Sequence, residues 1–269
     1  MPRVGDTIRC EVKINSFARG NNTLLYFFSC DYFVRGEKMA SLKSGAGFFT
    51  NEELRNGQGV TLTKVEREAR LKIQPRSFTP LLCSAKTSFT AEDLLHLSQG
   101  DFAACFGEAY QQSGKNPSLR LSSPAMRMLD RVVSVDPTGG AWGLGLIVAE
   151  KTLNPEAWYF NCHFKDDFCL PGTLAAEGGT QLIAFYMLYL GLQSQTIDAT
   201  FQPVLNVPQG GRNRGQITST TSALTYQIEI TEIGLSPEPF VRAELSIFFG
   251  GKMISISKNL GLRLVEKER

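Results

Sequence analysis

The chain has 269 residues, 42% of them hydrophobic and 20% charged, a globular composition with length enough for one large or two smaller cores. Twenty-eight Lys and Arg against 26 Asp and Glu leave a net charge of +2, so there is no electrostatic case for nucleic acid. The longest apolar run, Leu182 to Leu192, is about half of the roughly 20 residues that a membrane span needs.

No signal peptide is visible in Met1-Pro-Arg-Val-Gly-Asp, and the six cysteines show neither a CxxC nor a Cys/His ligand spacing. They read as reduced thiols of a cytoplasmic protein. In chain order, residues 1–50 give three strand-like runs rich in β-branched and aromatic residues: Thr7 to Asn15, Thr23 to Val34 and Glu37 to Ala46. The last two are joined at Arg35-Gly36. Thr50 with Glu53 has capping-box spacing and opens a short helix. Residues 61–87 are basic, broken by Pro75 and Pro80, and read as an extended crossing segment. Thr90 with Asp93 opens an amphipathic stretch through His96, and Gly100-Asp101 starts a further short helix through Phe106. His96 has no carboxylate at useful spacing and reads as an ordinary helix residue. Residues 51–112 thus form a connector.

Residues 113–269 hold a longer series. Met126 to Val135 and Ala141 to Leu153 come first, then an extended aromatic segment carrying His163, then a helix from Leu174 to Leu192. Strand-like runs follow at Gly215 to Thr220, Ala223 to Ile233, Phe240 to Phe249 and Lys252 to Lys258, with a glycine hairpin at Gly250-Gly251. Residues 36–48 align with residues 250–262 at an offset of 214, so two related β units are present. The first, residues 1–50, has strands without a helix and cannot close a core by itself. It is expected to extend or cover the other unit's sheet, or to be incomplete in a fragment of a longer protein.

The chemistry concentrates between Trp158 and Glu177. His163, one of two histidines, lies among Trp158, Tyr159, Phe160 and Phe164. Pro171-Gly172 marks a helix start, and Glu177 sits one to two turns in, among Leu174, Ala175, Ala176 and Leu182. A base near neutral pKa, an acid raised by burial and the free N–H groups of a helix start suit proton abstraction beside a carbonyl. On the pair alone, a satisfied strand histidine and a carboxylate favoured by the helix dipole serve equally well.

The full pattern H-x7-P-G-x4-E, led by W-Y-F-x-C and followed by Gln181, resembles the active-site signature of the hot-dog-fold β-hydroxyacyl-acyl-carrier-protein dehydratases. M-R-M-L-D-R-V at 126–132, G-G-A-W-G-L-G at 139–145 and D-F-A-A-C-F-G at 101–107 are most similar to the dehydratase regions of polyunsaturated-fatty-acid synthases. The resemblance implies an α+β hot-dog fold, a long central helix wrapped by a curved antiparallel sheet, with one complete unit at 113–269 plus the back half of a second. It implies that His163 takes the α-proton of a 3-hydroxyacyl thioester, that Glu177 protonates the departing hydroxyl, and that the Gly172 N–H binds the thioester carbonyl. Gln181 and Cys169 are candidates for orienting Glu177 or lining the tunnel, as is Phe164. The branch that also isomerises the double bond carries an Asp at the acidic position, so Glu177 speaks for dehydration and leaves isomerisation open.

By the same resemblance no metal or redox cofactor is required, and the substrate arrives on the phosphopantetheine arm of an acyl carrier protein, within a fatty-acid or polyketide-like synthase. Because base and acid of such sites come from two hot-dog units and only one here carries them, a homodimer joining His163 of one chain to Glu177 of another is implied. Arg212, Arg214 and Lys252 are candidate contacts for the carrier's acidic surface or phosphate, with solvated surface residues as the plainer reading. An acyl-CoA hydratase or thioesterase of the same fold and a non-catalytic pseudo-dehydratase are the alternatives.

Overall fold

The computed structural model describes residues 2–20 and 23–267, which fall into two units that divide after Gly57. In the first unit β1 (Ile8–Arg19), β2 (Leu24–Val34) and β3 (Glu37–Phe48) form an antiparallel sheet in that order, followed by α1 (Asn51–Asn56). The β2–β3 hairpin turns on Arg35 and Gly36, both at positive φ, the geometry of the two-residue turn that matches strand twist. Period-two alternation sorts the side chains of β1: Ile8, Cys10, Val12 and Ile14 share one face, and Arg9, Glu11 and Lys13 the other. Thr50 caps α1 reciprocally with Glu53.

The second unit begins with three helices, α2 (Lys64–Leu71), α3 (Ala91–Gln99) and α4 (Phe102–Phe106). β4 (Arg131–Asp136), β5 (Leu146–Thr152) and the long α5 (Gly172–Tyr189) follow. β6 (Ala199–Pro203), β7 (Gly210–Asn213), β8 (Ala223–Gly234), β9 (Phe240–Phe249) and β10 (Lys252–Glu266) complete it. The antiparallel sheet runs β4-β5-β8-β9-β10-β6, with β7 paired to β10. Helix α5 packs on β10, β9, β8 and β5. Two glycines allow the close approach: a Cβ on Gly178 would lie 2.5 Å from Tyr226, and one on Gly179 2.5 Å from Leu245. Each glycine costs a helix interior about 1 kcal/mol, whereas each fully buried Leu, Ile or Phe side chain returns about 1.5–3 kcal/mol. Leu182, Ile183, Phe185 and Leu188 are all buried to 0% exposure, so packing rather than propensity holds this helix. A long buried helix wrapped by an antiparallel sheet is the hot-dog arrangement.

Several expectations from the sequence are corrected here. The basic stretch expected to be extended contains α2, because Thr63 and Glu66 form a full capping box that precedes the prolines. Helix α2 is tied to the sheet by charge: Arg70 pairs with Glu229 and lies 3.7 Å from Glu244, and Glu66 meets Arg212 at 2.9 Å and Lys258 at 2.9 Å. Those hydrogen bonds, Lys258 first, hold the Glu66 carboxyl down at about 2. Of the connector expected over residues 51–112, residues 51–57 belong to the first unit and the remainder supplies Leu94, Leu97, Phe102, Phe106 and Tyr110 to the core of the second. Residues 215–220 form turns with one isolated bridge, Cys169 to Thr218, instead of a strand. The helix expected over Leu174 to Leu192 starts two residues earlier and gives way to a short turn of 3-10 helix after Tyr189. Among the described residues, no helix is long and apolar enough to cross a membrane.

Candidate active site

His163 does not lie in a strand. Residues 154–163 run through successive turns, in which Ala157 donates to the Asn154 carbonyl at 3.0 Å and Phe160 to the Ala157 carbonyl at 3.1 Å. Tyr159 and Phe160 are buried at 5% and 2% exposure, so the aromatic residues that suggested a strand anchor a coiled segment through their rings. A tight turn then closes on itself, Phe164 N donating to Asp167 O at 2.7 Å and Asp167 N to Phe164 O at 3.2 Å. It returns the chain so that Cys169 N donates to His163 O at 2.9 Å. Leu170 N donates to Ile217 O at 2.8 Å, which fixes the last residues before Pro171.

The imidazole is oriented by the same return. His163 Nδ1 lies 3.2 Å from the Cys169 carbonyl oxygen. A carbonyl only accepts, so Nδ1 carries a proton, and Nε2 is the nitrogen that bears the lone pair in the neutral ring. The ring lies against Phe164, centroids 3.7 Å apart at 33°, and Phe164 is itself 58% exposed. The Cys169 thiol is 3.6 Å from Nδ1, and burial pushes it up, with Asp167 adding to the effect, so it stays a thiol. Cys169 therefore serves His163, through its backbone, and among the described residues has no bond to Glu177.

Glu177 lies on the second turn of α5. Burial raises its carboxyl above the usual carboxylate range, opposed by a hydrogen bond from Gln181 Nε2 to Oε1 at 3.1 Å. Gln181, one turn further along and 3% exposed, is itself locked. Its Oε1 accepts from Met128 N at 2.8 Å, and its Nε2 donates to Met126 O at 3.0 Å. The segment pinned by that amide, with Trp158, Tyr159 and Leu174, lines a cavity of about 150 Å³. Neither His163 nor Glu177 lines it, and among the described residues no hydrogen bond joins the two.

Gly172 opens α5. Pro171 precedes it without a side-chain cap, so the first amides of the helix, Gly172 among them, have no intrahelical acceptor. A Cβ here would lie 2.8 Å from Asn213 Nδ2, which places that carboxamide directly beside the helix start. Asn213 Oδ1 accepts from Ser255 Oγ, leaving the Nδ2 group turned toward Gly172. Sequence reading missed Asn213, since a Gly-Gly-Arg-Asn tetrapeptide carries no strand signature. Of the basic candidates, Arg212 is consumed by Glu66, with bonds at 3.0 and 2.9 Å, and Arg214 donates to the Asn213 carbonyl at 3.0 Å. Among the described residues no group of three His, Cys, Asp or Glu side chains could hold a metal ion.

The fold places the second unit among hot-dog proteins, with the Glu177 carboxyl on the second turn of the central helix and the His163 imidazole in the turns that precede it. Comparison with known proteins narrows this. Residues 121–258 match the model of the FabA-like domain, and the chain belongs to that family. It is 36% identical over 251 residues, 90% of its length, to a polyunsaturated fatty acid synthase subunit from Thraustochytrium sp., and it spans 17% of that relative's length. Among solved structures it is similar to the dehydratase domain from the CurJ module of curacin polyketide synthase, at 14% identity and a TM-score of 0.42, covering 93% of this chain and 66% of that one. It is also similar to the dehydratase heterocomplex ApeI:P of Xenorhabdus doucetiae, at 19% identity and a TM-score of 0.39, covering 54% of this chain and 88% of that one.

Proposed function

We propose that the second unit removes water from 3-hydroxyacyl thioesters to give trans-2-enoyl chains, the substrate riding on the phosphopantetheine arm of an acyl carrier protein. His163 Nε2 takes the α-proton, and the C–H electron pair passes to the thioester as an enolate, which then collapses to form the new double bond. The C–O bond breaks as Glu177 gives its proton to the hydroxyl, which leaves as water. The thioester carbonyl takes up negative charge in between, and the Gly172 N–H and Asn213 Nδ2 are donors beside the place where an oxyanion would sit. Proton return from His163 to Glu177 resets the site. Acid, base and oxyanion donors account for every step, so the reaction needs no cofactor beyond the carrier's arm.

The observation that carries this reading is an imidazole anchored at Nδ1 together with a carboxyl that burial keeps toward its acid form. The Cys169 carbonyl orients the His163 ring through Nδ1, so that Nε2 is the nitrogen available as a base, and burial holds Glu177 toward its protonated form. A base and an acid ready together is what elimination requires. Family membership and the likeness to a component of a polyunsaturated-fatty-acid synthase support the substrate class. Because the two groups share no bond within one chain, a homodimer in which each meets the other's counterpart is part of the proposal.

The test is incubation with 3-hydroxyacyl chains on an acyl carrier protein and on coenzyme A, followed by mass spectrometry. Carrier-bound trans-2-enoyl product is expected. Faster turnover of the coenzyme A ester, or release of free acid, would assign a hydratase or a thioesterase instead, and a β,γ-unsaturated product would add isomerisation.

A further inference from the structure

Alternation along β7 sends its last two side chains to opposite faces of the sheet. Asn213 stands opposite Ser255 of β10, and Arg212 opposite Ile256. On the face toward α5, Ser255 Oγ donates to Asn213 Oδ1, and the carboxamide lies beside Gly172 at the start of that helix. On the other face Arg212 meets α2, its Nη2 donating to Glu66 Oε1 at 3.0 Å and to Oε2 at 2.9 Å. The strand between these two attachments is weak by itself. It has four residues, opens with Gly210 and Gly211, and among the described residues pairs with β10 alone.

Glu66 itself is fixed from two further directions. Thr63 N donates to its Oε2 at 2.8 Å in the cap of α2, and Lys258 Nζ of β10 lies 2.9 Å from its Oε1. One carboxylate therefore joins the start of a helix, a long strand of the main sheet and the edge strand that carries Asn213. Its hydrogen bonds keep it ionised down to about 2, so the tie is charged across the pH range in which a histidine base can work.

We propose that Glu66 is a positioning residue of the dehydration: through Arg212 it holds β7 so that Asn213 Nδ2 stays beside Gly172, where the thioester oxygen gathers charge. This rests on the reading given above, in which Gly172 and Asn213 are the oxyanion donors. Such donors act because they are in place before charge develops, and a misplacement of about 1 Å can cost about 10²-fold in rate. A short edge strand with two glycines does not hold that precision alone. A carboxylate anchored on both α2 and β10 supplies it, although it touches neither substrate nor either proton-transfer group.

The experiment uses the full chain and a 3-hydroxyacyl acyl carrier protein. Glu66→Gln keeps the cap at Thr63, since glutamine serves at that position, and removes the charge that holds Arg212. Its kcat is expected to fall roughly 5- to 30-fold, short of the loss of a whole donor, with KM within about twofold and both limbs of the pH–rate profile in place. Arg212→Gln should do the same. In an Asn213→Leu background Glu66→Gln should cost less than about twofold, because the donor it places is already gone. Glu238→Gln breaks an ion pair of similar exposure, to Arg263 at the far end of β10, and should leave kcat unchanged. Hydrogen exchange read by mass spectrometry adds a measure independent of turnover: residues 210–213 should exchange about fivefold faster or more in Glu66→Gln and at the original rate in Glu238→Gln. An unchanged kcat in folded Glu66→Gln, an equal loss with and without Asn213, or an equal loss from Glu238→Gln overturns the proposal. A parent chain that dehydrates nothing overturns the earlier reading, and the exchange rates then decide alone whether Glu66 holds β7, unaltered rates refuting the tie.

Discussion

Replacing Gln181 by methionine keeps the length of the side chain and removes three hydrogen bonds at once. The Met128 N–H loses its partner at a buried position and the Met126 carbonyl at a half-buried one, and each orphaned group costs about 1–3 kcal/mol. The methionine side chain recovers part of this by its apolar burial, which leaves a net loss of about 2–4 kcal/mol. For a domain of this size a kilocalorie moves Tm by about 2–4 °C, so a fall of about 5–15 °C in differential scanning calorimetry is expected. The same change acts on catalysis through Glu177. Gln181 donates to the carboxylate and so favours the ionised form; without it the Glu177 pKa rises further, and the alkaline limb of the pH–rate profile, where the acid loses its proton, moves to higher pH. Loss of positioning lowers kcat by roughly 10- to 100-fold. An unchanged Tm would refute the hydrogen-bonded clamp. An unmoved alkaline limb in a folded variant would refute the coupling of Gln181 to Glu177.

Further outcomes follow from the same geometry. Asn213→Leu and Gly172→Ala, the latter pushing a Cβ to 2.8 Å from Asn213 Nδ2, should each lower kcat by roughly 10²–10³-fold with circular dichroism unchanged, as for loss of one oxyanion donor. Glu177→Gln should stabilise the protein at neutral pH. A carboxyl whose pKa is raised by folding lowers stability as pH climbs through the window from its ordinary 4.5 to the raised value, so denaturant titrations should show the gain above that window and none below 4.5. Gly178→Ala should cost about 1–3 kcal/mol in urea unfolding, because its Cβ would meet Tyr226, which is 0% exposed, at 2.5 Å.

What the sequence reveals about this molecule follows the range of the interaction that sets each feature. The hairpins at Arg35-Gly36 and Gly250-Gly251, the caps at Thr50 and Thr90 and the helix start at Pro171-Gly172 are decided by neighbours within a few residues, and they were legible. Helix α2 carried an equally local capping box at Thr63, obscured by the prolines that follow it, while its ion pairs to Arg212, Lys258 and Glu229 join residues more than a hundred positions apart. The aromatic run around His163 has strand composition, yet Tyr159 and Phe160 are buried from turns, because ring burial can be had without an extended backbone. The roles of Cys169 and Asn213 are set by a carbonyl and a carboxamide brought in by tertiary contacts, and no residue-type pattern announces those.

The claim that rests beneath the rest is that His163 is the base and Glu177 the acid of one elimination. Its most direct measurement is single-turnover dehydration of a 3-hydroxyacyl acyl carrier protein by His163→Ala, by Glu177→Gln and by the two mixed after exchange of protomers. Each variant alone, folded by calorimetry, should lose at least roughly 10²-fold in rate, and the mixture should recover roughly a quarter to a half of the original activity, since a mixed dimer keeps one site with both groups intact. Dehydration at the original rate by either folded variant alone would contradict the assignment, and a mixture as inactive as its components would contradict the shared site.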